Sequence, residues 1–359
     1  MKKKTMTAKK QLLMASVLLC LAFGANAQEV KSEETKKDTA KTEIVGTDDG
    51  NSEVRKPEGV IKEEVKRGEA IIQVFANFHS GFGEQANDRG FELDRAYIGY
   101  QYDLGKGLSI KGVMDIGAKT DGYDRVVYLK NAQVSWEKVG WTLSCGLIST
   151  TIFNTAEKHW GYRYMYKSFQ DHYKFGSSAD LGVSVAYKPA RWVSMDAIVV
   201  NGEGYKKLQV DNRLMYGLGV QFVPVDGLTL RAYAQIDEQP ERKMQINYSA
   251  FGGYNHKWFS LGAEYCYMQR TKGVIGHDKS GVSVYATGRF CRWAEMMARY
   301  DELFSKQGWA VADEERVFLV GAQFMPCKYV KLTPNFRIVM PKDGDKIEYS
   351  AYVNCYFGI

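Results

Sequence analysis

Long hydrophobic runs are almost absent from this chain. A membrane-spanning helix needs roughly 20 consecutive apolar residues, and only residues 12–23 come close. A bundle of membrane helices is therefore excluded. Charge of one sign is also lacking: 48 Lys and Arg against 42 Asp and Glu leave a net +6. Five of the positive charges are Lys2, Lys3, Lys4, Lys9 and Lys10, so no nucleic-acid partner is expected. Histidine is down to five residues, His79, His159, His172, His256 and His277, and no G-x-S-x-G occurs. A Ser-His-acid hydrolase has little to build on, because His79 and Ser80 are neighbours on a strand and point to opposite faces. His159 and His172 share a segment that has no further groups in ligand spacing, so neither a metal nor another cofactor is expected. Beyond residue 27 five cysteines remain, Cys145, Cys266, Cys291, Cys327 and Cys355. An odd number with no C-x-x-C is no disulfide framework. Proline stands at 7 residues, against 35 Gly, 23 Tyr and 17 Phe, and long helical patterns are few. This is the composition of a large β protein, secreted or held in an outer membrane.

The N-terminus reads as an address. The basic start, the apolar stretch 12–23 and Ala25-Asn26-Ala27 make a signal peptide over 1–27, cleaved near Ala27. Residues 28–70 hold nine basic and twelve acidic residues and no aromatic one. Such a segment buries too little apolar surface to offset its chain entropy, so a charged, flexible periplasmic tail is expected.

From Ile71 to the end, 71–359, the pattern has period two. Leu228-Thr229-Leu230-Arg231-Ala232-Tyr233-Ala234-Gln235-Ile236 alternates apolar with polar or aromatic, and residues 108–116 and 330–338 repeat the pattern. Successive strand residues point to opposite faces. One face is thus apolar throughout, suited to lipid, and the other polar, suited to a lumen. Sixteen such segments start near residues 71, 92, 108, 127, 141, 179, 192, 213, 228, 246, 258, 280, 293, 315, 329 and 347. Most are long enough for a tilted strand to cross a bilayer. Seven short turns alternate with eight long loops, which closes the count for an all-β, 16-stranded antiparallel transmembrane β-barrel with both termini on the short-turn side. Trp141, Trp192, Trp258 and Trp293 open strands just after short turns and Trp136 lies just before one, as an interfacial aromatic girdle requires. A barrel of this size cannot fill its interior with strand side chains, which implies an aqueous channel.

The longest loop, 151–178, is the third on the long-loop side. It carries Lys158, Arg163, Lys167 and Lys174 against Glu157 and Asp171, interleaved with aromatics. Folded inward, it would set those four cations at a constriction that favours anions. Alternation places Arg95, Lys111, Arg213, Arg231, Arg289, Arg299, Lys331 and Arg337 on the lumen face, with Asp115, Asp180, Asp196, Asp237, Glu264, Glu295, Asp301 and Glu348. Eight against eight cancels, so the third loop alone tilts the charge. Arg95, Lys111, Arg231 and Arg337 are the expected lumen-lining cations.

Phe91-Glu92-Leu93-Asp94-Arg95-Ala96-Tyr97-Ile98-Gly99-Tyr100, the stretch 160–168 and Ser178-Ala179-Asp180-Leu181-Gly182 resemble the phosphate-selective O and P porins, most closely those of Bacteroidetes-type bacteria. The resemblance covers roughly residues 70–359. It implies a homotrimeric barrel with an inward-folded third loop, set in outer-membrane lipid of a Gram-negative bacterium and passing phosphate or other small anions. The dense lumenal Arg and Lys ladder of that family's best-known members is not matched here. The competing expectation is a structural or surface-binding barrel without significant conductance.

Overall fold

A computed structural model describes residues 67–118, 124–239, 242–344 and 346–359. The expected signal peptide and nearly all of the expected tail lie outside the described residues. The strands are β1 (Gly68–Phe82), β2 (Arg89–Gly105), β3 (Leu108–Ala118), β4 (Arg125–Lys138), β5 (Trp141–Ser149), β6 (Ala179–Ala190), β7 (Val193–Val200) and β8 (Met215–Phe222). They continue as β9 (Leu228–Asp237), β10 (Gln245–Asn255), β11 (Phe259–Gln269), β12 (Lys279–Cys291), β13 (Ala294–Ser305), β14 (Glu315–Cys327), β15 (Val330–Pro341) and β16 (Glu348–Gly358). Each pairs antiparallel with its sequence neighbours, and β1 closes on β16 from Gln73↔Gly358 to Phe82↔Tyr349. Closure leaves no strand edge, which a sheet in hydrocarbon requires.

All sixteen strands begin within three residues of the starts read from periodicity, with one consequence for charge. β8 starts at Met215, so Arg213 belongs to the preceding loop and bonds Glu203 and Asp211 there rather than lining the wall.

The two faces separate as alternation demands. On β9, Leu230, Ala232, Ala234 and Ile236 are exposed while Arg231, Tyr233, Gln235 and Asp237 are buried. The exposed set, continued by Leu218, Tyr248, Leu261, Val284 and Val320, forms an apolar belt of the kind suited to lipid. Trp141 stacks on Tyr187 at 4.2 Å and Trp293 on Phe324 at 6.2 Å, both outward at the short-turn rim. Cys145 is exposed and Cys355 partly exposed on the lipid phase, but Cys266 is fully buried on the lumen phase.

Six strand pairs shift register, and two of the shifts lie in mid-strand. Phe75 faces Arg95 and Ala76 faces Leu93, leaving Asp94 unpaired; Val113 faces Asn131 and Met114 faces Leu129, leaving Lys130 unpaired. An extra residue flips the phase on one side of it. The outward set Ala132, Val134 and Trp136 would put Lys130 in lipid; the bulge turns it into the lumen.

Lys106-Gly107 (φ 57° and 82°) and Val139-Gly140 (φ 49° and 79°) close their hairpins with two consecutive left-handed residues, the twist-matched two-residue turn. A β-branched residue is strained there. Val139 is 84% exposed and packs on little. Val139→Asn should therefore stabilise the barrel by about 1 kcal/mol, read as a higher urea midpoint of unfolding from lipid vesicles.

Candidate functional site in the lumen

The third loop has a core of its own. Helix α1 (Asn154–Trp160) ends on Gly161, at φ 73°, a left-handed cap that a side chain would strain. A second short helix, α2 (Phe169–His172), follows. Between them Trp160 donates its indole N–H to the Tyr166 carbonyl at 2.8 Å. Trp160, Tyr162, Tyr164, Met165 and Tyr166 then bury against Phe75, Val113, Phe251, Tyr285, Met297, Val317 and Leu319. These partners occupy the lumen phase of their strands, where a water-filled barrel calls for polar residues. Apolar side chains in the polar phase mark where a loop docks.

Polar anchors complete the docking. Arg299 grips Asp301 with two bonds (2.8 and 2.7 Å), donates to the Lys167 carbonyl (2.9 Å) and lies over the Trp160 and Tyr166 rings. Arg337 donates to the Met165 carbonyl at 2.8 Å. Arg231 holds Asp196 through two bonds and the Thr151 carbonyl at 2.8 Å. The Arg231–Asp196 pair passes over Gly219, where a Cβ would lie 2.4 Å from the guanidinium. Tyr162 donates to Glu295, Tyr164 bonds Gln323 and Thr333, and Gln170 bonds Glu264.

These bonds have a direction. Among the described residues, the side-chain bonds of 151–175 to the wall reach Tyr97 on β2 and strands β8–β15; none reaches β3–β7. The loop's hydrogen bonds thus fall on one half of the wall; on β3–β7, where they are absent, it meets Val113 by packing.

Charge gathers where β2–β4 border the loop. The Tyr97 hydroxyl accepts from Arg163 (2.8 Å), Arg95 (3.1 Å) and Lys130 (3.1 Å). Lys111 and Lys130 have no carboxylate within ion-pair distance among the described residues. A second loop, 201–214, also turns inward: Tyr205 bonds Asp115, and Asp180 accepts the backbone N–H groups of Gly202 and Gly204. It carries Lys206 over the Tyr128 ring at 5.1 Å. Burial, followed by the nearby Arg95, pulls the Lys206 amine below its ordinary range. Burial alone would raise Asp171, but Arg163, with Lys167 beside it, outweighs this and holds the carboxyl low.

No family model matches the chain, and no curated protein matches it in sequence. Solved structures do resemble it. OmpF of Salmonella typhi, in complex with daunomycin, has a TM-score of 0.62 at 12% identity, covering 81% of this chain and 97% of that one. The outer membrane channel DcaP of Acinetobacter baumannii has a TM-score of 0.58 at 10% identity, covering 81% and 97%. A mutant porin of Rh. blastica has a TM-score of 0.56 at 13% identity, covering 81% and 100%. The fold is that of the outer-membrane porins.

On this porin fold the cations named from sequence occupy different situations. Lys158, Lys167 and Lys174 are exposed. Arg163 is half-buried and bonds Glu157 (2.9 Å) and Asp171 (3.1 Å), so its own loop cancels much of its charge. Arg95 shares Asp115 at 3.3 Å. Arg231 and Arg337 are spent on anchoring the third loop, and Arg299 and Arg289 pair with Asp301 and Glu295. Lys111 and Lys331 stay without a carboxylate among the described residues. Sequence reasoning missed Lys130, hidden by the bulge, and Tyr97 and Lys206, which no local pattern marks.

Proposed function

We propose that this protein is a porin of a Gram-negative outer membrane. It passes small hydrophilic solutes, with preference for anions such as phosphate, and assembles as a homotrimer after removal of its signal peptide near Ala27. The observation that carries the anion preference is the set of lumenal lysines without a carboxylate in ion-pair distance among the described residues, Lys111, Lys130 and Lys331. Where the third loop docks, Arg231, Arg299 and Arg289 are matched by Asp196, Asp301 and Glu295, and Arg337 is taken up by the Met165 carbonyl. On β3 and β4, Lys111 and Lys130 have no such partner and Lys206 lies over the Tyr128 ring, while Asp115 is shared by Arg95 and Tyr205. In a narrow aqueous passage fixed cations of this kind favour anions. Lys158, Lys167 and Lys174 add exposed positive charge from the loop.

The test is single-channel conductance and reversal potential of the refolded protein in a planar bilayer, under a salt gradient and with added phosphate. Small steps with an anion-side reversal potential are expected. Large unselective steps would retain the porin and remove the filter. A folded, heat-modifiable barrel that carries no current would instead favour the structural role.

A further inference from the structure

Beside the constriction lies a cavity whose composition a simple anion filter does not require. Phe75, Tyr164 and Tyr356 face one another with ring centroids 5.6 to 6.4 Å apart. With Gln73, Tyr97, Lys130 and the ion-paired Glu157 and Arg163 they line about 290 Å³ between the third loop and strands β1, β2, β4, β15 and β16. Lys331 stands at its edge, its amine 5.8 Å from the Tyr164 ring and 5.3 Å from the Tyr356 ring. No carboxylate lies within ion-pair distance of it among the described residues. The other two cations of the lining are engaged, Arg163 with Glu157 and Asp171, Lys130 with the Tyr97 hydroxyl.

Size and chemistry narrow the occupant. At roughly 30 Å³ per water-sized group the space holds about ten non-hydrogen atoms. Inorganic phosphate would fill half of it and leave the part-exposed Tyr356 ring wet, forgoing the gain from covering it. A neutral apolar solute would leave the Lys331 charge without a counter-ion in a partly enclosed site. A flat apolar body that carries one carboxylate satisfies both. We propose that this cavity is a solute subsite for small aromatic monocarboxylates of benzoate size, with Lys331 as the counter-ion and the three rings as the contact surface. As a subsite on a transport path it rests on the channel reading above. Inorganic anions then cross the constriction without being held, while organic anions pause.

The probes are benzoate, acetate, inorganic phosphate and benzyl alcohol, titrated calorimetrically into the full-length barrel folded in detergent. Benzoate should bind at least about tenfold more tightly than any of the other three. Lys331→Gln should remove that preference, Lys331→Arg should keep it, and Tyr356→Leu should weaken benzoate alone. Heat-modifiable migration verifies that each variant is folded. Equal affinity for benzoate and acetate, tighter phosphate, or an unchanged Lys331→Gln overturns the subsite. Conductance of the same preparation is read separately. A conducting barrel without benzoate preference removes the subsite alone; a folded barrel that binds benzoate but carries no current removes the channel reading alone.

Discussion

If the proposed anion preference holds, reversing Lys111 and Lys130 to Glu is expected to turn it into a cation preference. Both amines belong to strands to which the third loop makes no hydrogen bond, and neither has a carboxylate partner among the described residues. A unit charge about 4 Å from a passing ion contributes on the order of 1 kcal/mol even in high dielectric, and 1.4 kcal/mol is tenfold in a ratio. Two reversals change four units of charge, so the anion-to-cation permeability ratio should fall on the order of tenfold or more. The reversal potential in a potassium chloride gradient reads this directly. Arg231 and Arg289, by contrast, are matched by Asp196 and Glu295. If reversing Lys111 and Lys130 left the reversal potential unchanged, selectivity would lie outside this wall.

The second large effect concerns the latch of the loop. The Arg299 and Asp301 side chains are 2% and 0% exposed, and their bidentate pair also reaches the Lys167 carbonyl. Arg299→Leu would leave a buried carboxylate without its counter-charge, which costs about 3–5 kcal/mol. It would also free Trp160 and Tyr166 from the guanidinium between them. The expected result is a lower unfolding temperature together with larger, noisier conductance steps as the loop leaves the wall. Adding Asp301→Asn should recover much of the stability, since the lone charge is gone, but not the small conductance, since the bond to Lys167 is still missing. Recovery of both would mean that the pair serves stability only and does not hold the loop.

These two effects divide along the line between what was legible beforehand and what was not. The strand pattern was legible because it is local. Leu230, Ala232 and Ala234 point one way and Arg231, Tyr233 and Gln235 the other whatever else the chain does, because a strand has period two. Short turns such as 104–107 and long loops such as 203–212 assign the two rims, and Trp141, Trp192, Trp258 and Trp293 mark one of them. From these follow the sixteen strands and the membrane-facing belt.

The charge pattern of the lumen was not legible, because it depends on contacts between residues far apart in sequence. Alternation put Arg231, Arg337 and Lys111 on one face as equals. The tertiary structure separates them: Arg231 meets Asp196, 35 residues away, Arg337 meets the Met165 carbonyl, 172 residues away, and Lys111 meets no carboxylate among the described residues. A bulge of one residue moved Lys130 from the expected lipid face into the passage. Sequence by itself determined the wall, since each strand reports its own two faces. Only the folded barrel decided which cations remain free, since a charge is cancelled by whatever the closed ring and the inward loops bring beside it.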